Sequence, residues 1–120
     1  MQNFKPAIAE QLSKLTGVKQ LCAGYPKDFA QMPTVTYSEN NNSDAGYTGI
    51  EVATDLEYQF DIWAKGSTSG LALQLDDLIT LLGFRRAGSN ELVDTNTGLN
   101  HRILRYRGRY DSIMGRITQV

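Results

Sequence analysis

Cysteine, histidine and tryptophan occur once each, at Cys22, His101 and Trp63, and proline only three times in 120 residues. A lone cysteine excludes an intrachain disulfide and fits a reducing cytoplasm. Cys22 and His101 together lack the spacing of a metal motif, which needs several ligands close in sequence or space. No apolar run approaches the roughly 20 residues that a membrane span requires. The opening MQNFKPAIAEQ lacks the apolar stretch of a signal peptide, so neither a signal nor a membrane partner is expected. Without such a signal the Asn41-Asn42-Ser43 sequon carries no weight. Excess charge is missing too, since 12 basic and 13 acidic residues leave a net of −1 and no global pull towards polyanions.

What is present is the composition of one folded domain, with 41% apolar and 21% charged residues. The near-neutral balance hides a segregation. Residues 1–64 carry four Lys against eight acids, a net of −4, whereas residues 65–120 carry Lys65 and seven Arg against five acids, a net of +3. All seven arginines lie between Arg85 and Arg116. Separation of this kind suits complementary surfaces, within one sheet or between copies of the chain.

Phe4, Ile8, Leu12 and Leu15 recur at steps of four, four and three, the spacing of one helix face. Asn3 is placed to cap that helix, Pro6 falls in its first turn and Gly17 is its expected stop. KQLCAGYP reads as a short strand, and PTVTYSE alternates Val35 and Tyr37 against Thr34, Thr36 and Ser38 as a half-buried one. NNNSDAGYTG, residues 40–49, reads as a loop of turn formers. The clearest alternation follows. Leu56, Tyr58, Phe60, Ile62 and Ala64 share a core face, and Asp55, Glu57, Gln59, Asp61, Trp63 and Lys65 share an acidic one.

After GSTSG, the leucines at 71, 75, 78 and 82 mark a second amphipathic helix, with Ser67 or Ser69 as cap and Gly83-Phe84 as its ending. Turns are expected around Gly88-Ser89-Asn90 and Asn96-Thr97-Gly98, and a strand from Leu99 to about Asp111 closes the chain. The expected class is α+β, in the order α-β-β-β-α-β-β, with both helices on one face of an antiparallel sheet.

Chemical motifs are few. GSTSG has neither the lysine of a phosphate loop nor the central serine of a nucleophile elbow, and reads as a helix entry. His101 lacks a legible nucleophile partner, and adjacent Asp76 and Asp77 point about 100° apart on a helix. HRILRYRGRYD, residues 101–111, mixes basic and aromatic residues as nucleic-acid surfaces do. Alternation splits it, however. Leu104, Tyr106, Gly108 and Tyr110 take one face and His101, Ile103, Arg105, Arg107 and Arg109 the other. A stacking platform needs aromatics and cations on one surface. The arginines are therefore expected to meet the acids of the strand at residues 55–65, either in the same sheet or across a subunit contact. A nucleic-acid-binding module using Arg105, Arg107 and Arg109 is the alternative.

Taken in sequence, MPTVTYSE, NNNSDAGYTG, EYQFDIWAKGSTS, the leucine helix closing on GFRR and HRILRYRGRYD resemble the tail terminator proteins of long-tailed bacteriophages. These are also called tail completion or head–tail joining proteins, and minor capsid or minor tail proteins. FDIWA before a helix of this length is the most telling piece. The resemblance implies a single tail-terminator-like domain over 1–120, a non-enzymatic subunit without cofactor or metal. It implies a ring, a hexamer, that caps the tail tube, ends its polymerisation and joins the tail to the head connector, with DNA only as passing cargo. It places the protein in the virion at the tail–head junction after assembly in the bacterial cytoplasm. Under it, Asp55, Glu57, Asp61, Trp63, Arg105, Arg107 and Arg109 are candidate subunit-interface residues. Asn40, Asn41, Asn42, Asp44 and Tyr47 form a candidate arm that orders on docking to tube or connector.

Overall fold

The computed structural model describes residues 1–45 and 52–119, over which these periodicities become two helices and six strands. They run α1 (Lys5–Leu12), β1 (Gln20–Ala23), β2 (Thr34–Asp44), β3 (Ala53–Ala64), α2 (Ser69–Leu81), β4 (Arg85–Val93), β5 (Asn100–Asp111) and β6 (Arg116–Thr118). The strands form one sheet in the order β1-β2-β3-β5-β4, with β6 beside β5 beyond the end of β4. The class is α+β.

The expected order holds through β5, with two corrections. The chain does not close at Asp111, because Asp111 Oδ1 accepts from the N–H groups of Ile113 and Met114 and turns it back into β6. A three-residue strand with one apolar residue carries no periodicity to read. The sheet is also not wholly antiparallel, since β1 runs parallel to β2. Residues 24–33 carry the chain back to allow it.

Alternation in β3 sorts the molecule into two sides. Leu56, Tyr58, Phe60 and Ile62 are at most 2% exposed and pack with Val35, Phe84, Leu104 and Tyr106. Ile8 and Leu12 of α1 and Leu75 and Ile79 of α2 join the same cluster. Burial of each such side chain contributes about 1.5–3 kcal/mol. Two tyrosines carry polar ends into this core, and each finds an acceptor. Tyr58 Oη donates to Glu39 Oε1 at 3.0 Å and Tyr106 Oη to Asp76 Oδ1 at 2.7 Å. Burial first, and then the neighbouring carboxylate, push both phenols well above their ordinary range.

Helix ends differ from expectation in detail. α1 stops at Leu12 rather than Gly17, although Leu15 still packs on the core. Thr68 takes the cap position of α2, but its hydroxyl bonds Glu91, and Ser67 Oγ accepts from Ser69 N at 3.2 Å instead. Gly83 ends α2 at φ 109° with its N–H on Thr80 O, and Phe84 turns into the core as expected.

Two expected turns are strand. Asn40–Asp44 extend β2, pairing with Thr54–Glu57 past a bulge at Asn40. Gly88-Ser89-Asn90 lies within β4, which passes a bulge at Ala87. In both places cross-strand hydrogen bonding overrides poor strand propensity. The turn at Asn96-Thr97-Gly98 forms, with Gly98 N on Asp94 O.

Gly108 sits where β5 passes beneath Phe84 and Ile117. A Cβ there would stand 2.5 Å from Ile117 Cγ2 and 2.9 Å from Phe84 Cδ1, whereas one at Gly88 would meet nothing within 4 Å. Gly108→Ala is expected to cost about 1–3 kcal/mol through overpacking, and Gly88→Ala much less. Urea denaturation of both variants checks this; equal midpoints would contradict it.

Candidate functional surface on the open face of the sheet

The face of the sheet turned from the helices is built by the odd-numbered residues of β3 and β5. Their register sets Asp55 opposite Arg109, Glu57 opposite Arg107, Gln59 opposite Arg105, Asp61 opposite Ile103 and Trp63 opposite His101. Facing residues on one side of an antiparallel pair lie about 4.5–5.5 Å apart at Cβ, so opposite charges meet without strain.

The pairs are made within the chain. Arg109 donates to both carboxylate oxygens of Asp55, at 2.7 and 3.2 Å. Arg107 Nε donates to Glu57 Oε1 at 2.7 Å. Asn40 Nδ2 bridges from β2 to Glu57 and Gln59, and Gln59 Nε2 donates to Asp61 Oδ1 at 3.0 Å. Asp61 Oδ2 in turn lies 2.7 Å from His101 Nε2. The Arg107 guanidinium holds the Glu57 carboxyl below the usual carboxylate range despite its burial, with Asn40 and the charge of Arg105 acting the same way.

Beyond Asp61 the surface turns aromatic. His101 stacks on Trp63 with ring centroids 3.6 Å apart and 14° between planes. Tyr25 and Phe29, from the segment linking β1 to β2, meet the indole edge to face. Met32 and Leu99 complete the cluster. Trp63 is thereby 5% exposed, and Tyr25 at 58% is what solvent meets.

Every described interface candidate therefore lies on one continuous face. Of the arm candidates, Asn40, Asn41, Asn42 and Asp44 belong to β2, and Tyr47 falls outside the described residues. Asn42 points to the opposite face and bonds Gln2 O.

Four positions escaped sequence reading. Arg85 stands directly across from Arg107, so two like charges face each other. Arg102 points to the helix side, where Nε donates to Thr68 Oγ1 at 2.9 Å and Nη2 pairs with Glu91. Its even number, shared with Leu104 and Tyr106, was the available signal. Leu73 and Leu81 are 69% and 79% exposed on α2, and their place off the buried leucine stripe was legible.

Chemically the surface is a charge ladder with an aromatic end. Asp61 and His101 form an acid–imidazole pair, yet among the described residues no Ser, Thr or Cys hydrogen-bonds the imidazole. No group of three metal-ligating side chains exists among the described residues. Arg107 and Arg109 are engaged by carboxylates, Tyr106 is fully buried and Tyr110 packs on Phe4. The β5 tyrosines therefore do not share the arginine face, as a stacking platform built on that strand would require.

No protein family and no curated protein matches this chain by sequence. Its fold is similar to that of a chain in the virion of a native gene transfer agent (GTA) particle. The TM-score is 0.61, with 12% identity, covering 85% of this chain and 90% of that one. The likeness is one of fold.

A carboxyl with a lowered folded-state pKa adds stability that is in place above its unfolded value and vanishes as pH falls through the folded one. The Arg107 side chain is 57% exposed, so screening keeps the Glu57 contribution below about 1 kcal/mol. Glu57→Gln is expected to cost that much at neutral pH and nothing near pH 2, which urea midpoints across pH would show. A loss that grows towards acid pH would contradict the pairing.

The His101 side chain is 12% exposed and that of Asp61 15%. His101→Ala strips Asp61 of this partner and uncovers the indole. The expected cost is about 1–3 kcal/mol, with a red shift in the emission of the single tryptophan. Unchanged emission would show that the stack does not shield Trp63.

Proposed function

We propose that the chain is a phage-type virion structural protein, a tail terminator that closes into a ring on the tail tube and joins it to the head connector. The observation that carries this reading is the fold shared, over 85% of the chain, with a component of a virion particle. The element order and quoted segments resembling tail terminators add to it. On this reading 1–120 is one non-enzymatic domain without cofactor, resident at the tail–head junction after assembly in the bacterial cytoplasm, and DNA is cargo passing the ring.

The partners are further copies of itself in a hexamer, the tail tube protein and the head connector. The subunit contact uses the open face, with Asp55, Glu57, Asp61, Arg105, Arg107 and Arg109 and with Tyr25 covering Trp63. The far end of the β2–β3 hairpin, from Asn40, Asn41, Asn42 and Asp44 to Tyr47, docks on tube or connector. Its described part, Asn40 to Asp44, is strand where composition implies a loop.

Mass measurement across concentration, alone and with purified tail tube, tests the proposal, with electron microscopy of the tube ends. The expected result is a six-subunit species or a ring on one tube end. A chain that stays monomeric and never associates with tube ends would overturn it.

A further inference from the structure

Pairing within the sheet leaves a remainder of positive charge. Arg107 and Arg109 have their carboxylates, but Arg105 stands between Gln59 and Gly88, and Arg85 faces Arg107. Among the described residues neither Arg85 nor Arg105 is in an ion pair. Three arginines thus share one patch, and among the described residues the one ion pair they make is that of Arg107 with Glu57. Beside them on the same face lie half-buried Ile103 and, further along β4, Leu92 at 45% exposure.

The opposite side of the molecule carries the complement. On α2, Leu73, Asp77 and Leu81 follow at steps of four, forming a stripe that faces away from the core. Leu73 and Leu81 are 69% and 79% exposed, and Asp77 between them is exposed without an ion partner among the described residues. An amphipathic helix ordinarily turns polar residues outward, so two leucines flanking an acid on that side are out of place for a solvated surface.

We propose that this α2 stripe docks on the open sheet face of a second copy, Asp77 entering the Arg85–Arg105 patch and a leucine packing on Ile103. The spacings agree: four residues of helix advance about 6 Å and two of strand about 6.8 Å. Leucine-to-Asp77 therefore overlays Ile103-to-Arg105. The two patches are different surfaces of one molecule, so the contact is heterologous and builds a ring when the rotation closes. This inference rests on the ring reading and names the surfaces that would make it. A polyanion such as DNA would engage the arginines but has no use for the exposed leucines.

The test is a charge swap read by sedimentation, with melting temperature as the folding control. Asp77→Arg and Arg105→Asp are each expected to weaken assembly about tenfold or more, and the double variant to restore it. Leu73→Ser is expected to weaken it as well. Where Arg105→Asp lowers the melting temperature, exposed Arg85→Asp takes its place. A wild-type ring unaffected by either single change, or a folded double variant that fails to recover, overturns this interface while leaving the ring intact. Loss on Arg105→Asp alone, with Asp77→Arg and Leu73→Ser silent, overturns it, because the arginine then meets some surface other than α2. A wild type that is monomeric at all concentrations and on tube ends overturns the ring reading, and this inference with it.

Discussion

The antiparallel register of β3 against β5 decides where nearly every other group goes. Twelve consecutive positions pair, from Ala53 with Asp111 to Ala64 with Asn100. A slip of one residue would drive Asp55, Glu57 and Asp61 into the helices and lift Leu56, Tyr58 and Phe60 into water. Burial of those apolar side chains and of Leu104 and Tyr106 opposes any slip, while the Asp55–Arg109 and Glu57–Arg107 pairs stand in register on the reverse. The two faces enforce the same alignment by different physics. Hydrophobic burial supplies most of the stabilisation, and the surface ion pairs add little energy but penalise the alternatives.

From that register the rest follows. Gly108 falls where Phe84 and Ile117 cross the sheet, so any larger residue would force those side chains to shift. Arg102 lands on the helix side, where Thr68 and Glu91 must meet it, and this is why the α2 cap hydroxyl is spent on a tertiary contact. His101 lands beside Trp63 and shields it. Asp76, which looks on paper like half of a carboxylate pair with Asp77, is taken by Tyr106 Oη and Arg86.

Strong period-2 and period-3.6 patterns made both helices, β3 and β5 legible, together with the division of Arg105, Arg107 and Arg109 from Tyr106 and Tyr110. Illegible were the segments whose conformation is imposed by a neighbour. Asn40–Asp44 contains nothing that favours a strand, yet β3 offers it a ladder, and the bulge at Asn40 keeps the pairing going. Gly88-Ser89-Asn90 is held likewise against Arg105, Leu104 and Ile103. β6 is too short to show a period. The charge ladder was half legible: which residues share a face follows from parity, but whether acids and arginines meet in one sheet depends on strand order. Arg85 was hidden for the same reason, since its position opposite Arg107 exists only once β4 lies beside β5.

A sheet covered on one side only has to solve a conflict if its open face is to meet a partner. An apolar open face would bind strongly but would aggregate before any partner arrived. A uniformly charged one would stay soluble and repel its own copies. Here acids and arginines cancel most of each other within the ladder, so the open face exposes little apolar surface and carries little field. What is left over, Arg85 and Arg105 beside Ile103, is small and directional. The α2 stripe proposed as its complement is equally small. Patches of this size commit weakly in a single encounter, which is the behaviour that the proposed ring asks of its subunits, closure only when several copies are brought together at one site. The segregation of acidic and basic halves along the chain, invisible in its net charge of −1, is then spent mostly on holding the monomer in register. Only its residue is available for assembly.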